Sequence, residues 1–153
     1  MKSNYLRHFI IACICASATL GSKTAAAQSA APCSLLTSAQ VTAAVGVSVG
    51  AAQPIAGTGC SWTAPHMIVT LSLWDGSKWD QMKTPAPGMN RTAVAGLGDD
   101  AFYTTMGPAS GKQFVTLSVK KGGTAYLIKV YGPPVADQMS MEKALAGNVM
   151  SKL

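Results

Sequence analysis

Acidic side chains, histidine and cysteine are scarce in this chain of 153 residues, which has six Asp and Glu, two His and four Cys. General acid–base catalysis, activated nucleophiles and metal centres all draw on these residue types, so their scarcity excludes more than it suggests. Charged residues of either sign make up 12% of the chain. Past the first 27 residues, no run approaches the roughly 20 consecutive apolar residues that a membrane-spanning helix needs.

The N-terminus has a recognisable layout. Lys2 and Arg7 bracket the start, the apolar run Phe9–Ala18 follows, and small residues end in Ala25, Ala26 and Ala27. This is the pattern of a secretory signal peptide over residues 1–27, too short in its apolar core to span a bilayer. Cleavage after Ala27 leaves residues 28–153 as one secreted domain, addressed to the periplasm or the extracellular space. Ile11, Ala12 and Cys13 resemble a lipoprotein processing site, but an apolar run continues beyond them, and lipidation at Cys13 is the lesser reading. Cleavage removes Lys2, Arg7 and Lys23 and no acid, which halves the formal net charge of +6. The remaining surplus is ordinary for solubility and does not make the electrostatic footprint of a nucleic-acid binder.

Cys13 and Cys15 leave with the leader, so Cys33 and Cys60 form an even pair in an oxidising compartment, where a disulfide is the default. A lone reactive thiol and a metal site are the rival readings. Two cysteines without a nearby histidine pair make a poor zinc site, and free thiols need an unusual redox environment. Closing a loop of about 27 residues stabilises the fold by roughly 3.5 kcal/mol in the chain-entropy account.

The elements follow from periodicity and punctuation. Thr37 and Gln40 spell a capping box, Leu36 and Val41 sit where a hydrophobic staple would, and Gly46 ends a helix over about 38–45. Val47–Val49 is expected as a short edge strand. Gly59–Thr63 and Met67–Trp74 read as a hairpin, with Val69, Leu71 and Leu73 on one face. Ser77 and Asp80 offer a second capping box for a short helix through Met82, and Thr84–Asn90, with Pro85, Pro87 and Gly88, reads as a loop. Ala101–Thr105 is a strand. Gln113–Lys120 and Thr124–Tyr131 flank a Gly122–Gly123 turn and form another hairpin, with Val115, Leu117, Val119, Tyr126, Ile128 and Val130 facing inward. After Pro133 and Pro134, a helix over 135–152 carries Met141, Leu145, Val149 and Leu153 at spacing four. The predicted fold is α+β: an antiparallel sheet of about five strands, a short N-terminal helix, a short middle helix, and a long C-terminal helix packed on one face. The tetrapeptide Val69–Ser72 recurs as Val115–Ser118, which common strand composition explains without a duplication.

The segments CSLLT at Cys33–Thr37, then Gln40, Val41 and Gly46, then Cys60 and Trp62, then GLGDDAFY from Gly96, resemble the secreted bacterial proteins and lipoproteins of domain-of-unknown-function family 3558. The likeness covers the first third of the mature chain and one central turn. It implies a compartment and an α+β fold, and it carries no reaction.

Candidate chemistry is thin. His66 is the only histidine after the leader and reads as an exposed turn residue. Asp75, Asp80 and Asp137 read as helix-start residues, and the adjacent Asp99 and Asp100 as a solvated pair. Gly96–Ala101 spells a dinucleotide fingerprint but leads into a strand where that motif needs a helix. Ser118 and Lys121 fall on opposite faces of a strand, and Ser140 with Lys143 has the wrong order for a penicillin-enzyme motif. Met139 and Met141 diverge on a helix, which argues against a copper(I) site. One constellation is left: Lys112, Lys120, Lys121 and Lys129 with Phe114 and Tyr131 on the last hairpin, read either as a solvated face whose lysines blunt an edge strand or as a surface suited to an anionic partner. No metal or cofactor is called for. The leading expectation is a non-catalytic binding protein of the cell envelope, its partner another envelope protein or an anionic envelope polymer. An inhibitor of a secreted enzyme, using exposed Trp and Tyr side chains, is the second reading, and a small hydrolase or metal carrier the third.

Overall fold

The computed structural model describes residues 31–106 and 114–153. The expected leader over 1–27 with Cys13, and Lys112 of the basic surface, lie outside the described residues. The chain opens with two short helices, α1 (Pro32–Leu35) and α2 (Ser38–Val45), and continues into β1 (Gln53–Ile55), β2 (Gly59–Ala64) and β3 (Met67–Asp75). A 3-10 turn (Gly76–Lys78) leads into α3 (Trp79–Lys83). Strands β4 (Met89–Ala93), β5 (Asp100–Met106), β6 (Val115–Lys121) and β7 (Thr124–Tyr131) follow, and α4 (Val135–Met150) closes the fold. Among the described residues, no helix is long and apolar enough to cross a membrane.

All the strands join one antiparallel sheet in the order β1-β2-β3-β7-β6-β5-β4. The α+β class is as expected, but the sheet has seven strands, not about five. Both additions are edges. Val47–Val49 forms no strand, and the edge is supplied instead by Gln53–Ile55, where Pro54 is tolerated because an edge strand has one unpaired side. At the other edge β4 begins at Met89, inside a stretch whose prolines and glycine read as a loop; Gly88 takes a left-handed φ of 80° and turns the chain into the strand.

The helices α1, α2 and α4 cover one face of the sheet. Val69 and Leu71 of β3, Tyr126, Ile128 and Val130 of β7, and Val115, Leu117 and Val119 of β6 point into that layer and are fully buried, as their alternation predicts. Leu35, Leu36, Val41 and Val45 meet them from the N-terminal helices, and Leu145, Ala146 and Val149 from α4. The capping box of α2 forms as read: Gln40 N–H donates to Thr37 Oγ1 at 3.2 Å, Thr37 N–H donates to Gln40 Oε1 at 2.9 Å, and Gly46 ends the helix with φ 74°. Cys33 and Cys60 are disulfide-bonded with Cα atoms 5.1 Å apart, tying α1 to β2. Trp62, two residues along the same face of β2, is fully buried in the same cluster.

The middle helix is capped differently from the expectation. Asp75, not Ser77, is the capping residue: its carboxylate accepts from Ser77 N–H at 2.8 Å at the start of the 3-10 turn, and α3 begins at Trp79 without a side-chain cap. This holds the Asp75 carboxyl below its usual range through the Ser77 hydrogen bonds. Gly76 N–H donates to Gly123 O at 2.9 Å, so the turn rests directly on the β6–β7 turn, where a side chain at position 76 would collide with Gly123.

A seam divides the sheet beneath α4. Paired residues of β6 and β7 run from Lys121 and Thr124 to Leu117 and Ile128 and then stop. Continuing that register, Val115 and Val130 would face each other. Their N–H groups instead donate to α4: Val115 to Gln138 Oε1 at 3.2 Å and Val130 to Glu142 Oε1 at 3.0 Å. Gln138 and Glu142 lie one helical turn apart and so reach into the gap together. Gln138 also donates to Pro133 O at 2.6 Å.

Candidate functional site

The face of the sheet turned away from α4 is only partly covered. Because strand side chains alternate, the register assigns its rows. Trp74, Ala125, Lys120 and Asp100 form one row; Ser72, Leu127, Ser118 and Phe102 the next; Thr70 and Lys129 a third; Ile68 and Tyr131 a fourth. Over the β5 end, α3 lays Trp79 on Phe102 with ring centroids 5.1 Å apart, and Ala125 and Met82 complete this small second core. Trp79 Nε1 donates to Asp100 Oδ2 at 2.9 Å, and Lys83 Nζ pairs with the same oxygen at 2.8 Å. The Lys83 and Trp79 bonds hold the Asp100 carboxyl below its usual range, and Asp100 in turn raises Lys83. Asp99 faces the other way and accepts from Gly122 N–H at 2.6 Å. The two adjacent acids remain open to solvent, as their spelling suggests, and each also anchors a neighbouring element through its hydrogen bonds. Arg91 of β4 stacks its guanidinium on Phe102 at 4.7 Å, and burial lowers its pKa.

Among the described residues, none covers the β3–β7 half of this face. A shallow groove of about 210 Å³ lies there, lined by Ile55, Thr70, Ser72, Trp74, Leu127, Lys129 and Tyr131. Trp74 is 51% exposed, Ile68 44%, Ile55 40% and Tyr131 38%, so four of the large exposed apolar side chains share this surface. Six residues of β3 separate the Trp74 row from the Tyr131 row, which gives the groove a length of roughly 20 Å. Among the described residues, Lys129 is the one charged residue in its lining, and its Nζ lies 5.7 Å from the centre of the Phe114 ring.

Of the surface expected from sequence, the structure brings Lys129, Phe114 and Tyr131 together. Lys120 shares their face but lies two rows from Lys129 and three from Tyr131, beside Asp100, and Lys121 has the opposite strand parity at the hairpin turn. Trp74, Thr70, Ser72, Leu127 and Ile55 were not part of that expectation. Their signal was present: with Val69, Leu71 and Leu73 assigned to the core, Trp74 and its even-numbered neighbours had to face outward.

No protein-family model, curated protein or solved structure matches this chain. What it binds must be argued from its own side chains. His66 is exposed in the β2–β3 turn with φ 60°, and Met139 and Met141 pack against the main core. Among the described residues, no three His, Cys, Asp or Glu side chains converge as metal ligands.

The buried titratable groups lie on the opposite side of the sheet. Glu142 is fully buried; its Oε1 accepts from Val130 and its Oε2 has no partner. Burial pushes its pKa up to about 8, against the opposing pull of the Val130 and Leu117 backbone and the Lys129 charge. Tyr103 donates to Met139 O at 2.7 Å, and burial, with the nearby Glu142, pushes its hydroxyl up to about 12. Tyr126 donates to Ala146 O at 3.1 Å and is also raised by burial. Each phenol ties the sheet to α4 through a backbone carbonyl, a structural use of these groups.

Proposed function

We propose that this protein is a non-catalytic binding protein of the cell envelope, secreted after cleavage near Ala27, and that the open β3–β7 face is its binding surface. The observation that carries the proposal is Trp74, half exposed at one end of a groove that also presents Tyr131, Ile55 and Lys129. A tryptophan costs apolar contact with water unless it meets a partner, and large aromatics are the anchors that dominate recognition energetics. The address rests on the leader-like N-terminus, the Cys33–Cys60 disulfide and the resemblance to family 3558, of which we propose it is a relative.

The test is retention of the purified protein on an envelope fraction from the source cell. Wild type is expected to be retained, and Trp74→Ala with Tyr131→Ala to be released without loss of melting temperature, since both side chains contribute little to the core. Equal retention of the double variant rejects this face as the binding surface.

A second reading, an inhibitor of a secreted enzyme, is favoured by the same exposed Trp74, because that reading requires an exposed aromatic anchor. It predicts saturable inhibition of an envelope or secreted hydrolase that disappears in Trp74→Ala.

A further inference from the structure

Resting on the reading of the open face as a binding surface, we infer that its ligand is an acidic glycan: sugar rings bearing a carboxylate or phosphate. Three features of the groove select this class over an acidic peptide.

First, the groove runs along strands interior to the sheet. β3 is paired on both sides, with β2 and β7, and β7 is paired with β3 throughout and with β6 as far as Ile128, beyond which its Val130 N–H is held by Glu142, so the floor of the groove offers a peptide main chain no ladder to join. Recognition must come from side chains alone.

Second, those side chains match a sugar. Thr70 and Ser72 line the floor with hydroxyls, and Tyr131 brings a third. A hydroxyl both donates and accepts, rotating to suit its partner, which is what the hydroxyl rim of a pyranose presents in return. Trp74 and Tyr131 supply flat rings whose electron-rich faces suit the C–H face of such a ring. A length of roughly 20 Å admits several rings in a row.

Third, the charge is of one sign. Among the described residues, Lys129 is the one charged lining residue, and Asp100, the acid in the strand rows of this face, is engaged by Lys83 and Trp79. An ammonium in an acid-free aromatic groove attracts a carboxylate or phosphate, and Phe114 beside it helps hold the ammonium in place.

Trp74 also provides the readout. Trp62 and Trp79 are buried, so Trp74 is the tryptophan whose emission responds to a ring laid on this face. Galacturonic-acid tetramer is titrated into the full mature chain, with a neutral galactose tetramer and penta-aspartate in parallel. The acidic tetramer is expected to shift Trp74 emission saturably, the neutral one to bind more weakly, and penta-aspartate to leave emission unchanged. Lys129→Gln should weaken the acidic tetramer about threefold to fivefold, the scale of one partly exposed charge pair, and abolish its preference over the neutral one. A phosphorylated mannose tetramer in place of the uronic acid separates phosphate from carboxylate as the acidic group; saturable binding of either supports the inference. If neither acidic probe shifts the emission, or penta-aspartate matches them, the inference is overturned. Should envelope retention still depend on Trp74 in that case, the binding surface stands and only its ligand class is wrong.

Discussion

Glu142 is the residue whose environment departs furthest from its chemistry. The free carboxyl ionises near 4.5, the folded one near 8, so between these values the native state holds a proton that the unfolded chain has released. The stability this group contributes is therefore complete below about pH 4.5 and declines as pH rises toward 8, on the order of 5 kcal/mol in all. Lys129 from β7 is the charge that acts on it, and Glu142 in turn raises Tyr103 of β5. Glu142→Gln keeps an acceptor for the Val130 N–H and cannot ionise. Urea midpoints measured from pH 5 to pH 9 should fall for wild type and stay level for the variant. Little in the sequence announces this residue. A glutamate in a helix with Lys143 beside it reads as solvated, and its burial depends on a seam between two strands that no local pattern encodes.

At the scale of elements, α2 and the two hairpins were legible because their signals are local: a capping pair, a glycine at a helix end, alternation around a two-residue turn. Thr37→Ala removes the side-chain half of the capping box and should cost about 1 kcal/mol in chemical denaturation. The Cys33–Cys60 bridge joins α1 to β2, on the layer opposite the groove. Replacing both cysteines by serine should lower stability by about 3 kcal/mol while leaving the Trp74 emission and its response to ligand as in wild type. What could not be read were the edges β1 and β4. Each is short and carries its turn residues inside or against the strand, so the chain pairs there because a neighbour offers a ladder, not because its own composition asks for one.

Over the whole molecule, the division of labour is between the two sides of one sheet. The covered side holds the disulfide, the buried acid and both buried phenols, and the open side holds the exposed rings and Lys129. Sequence alternation told inward from outward along each strand, but it could not tell which outward positions α3 would cover. Phe102 is outward and buried, Trp74 outward and exposed, and the difference is Trp79 arriving from α3. Of the residues expected on the basic hairpin surface, Lys129, Phe114 and Tyr131 lie together, and the groove that Lys129 and Tyr131 line extends across β3 to β1.

The N–H groups of Val115 and Val130 also make this fold a reporter on its own assembly. Their bonds end on side chains of α4, whereas neighbouring amides of β3 and β7 are held by other strands. Deuterium uptake at these two positions therefore times the lifting of the C-terminal helix separately from the opening of the sheet. In Glu142→Ala the Val130 amide should exchange faster while the β3 amides keep their wild-type protection, so a helix that detaches before the strands part would be visible one proton at a time.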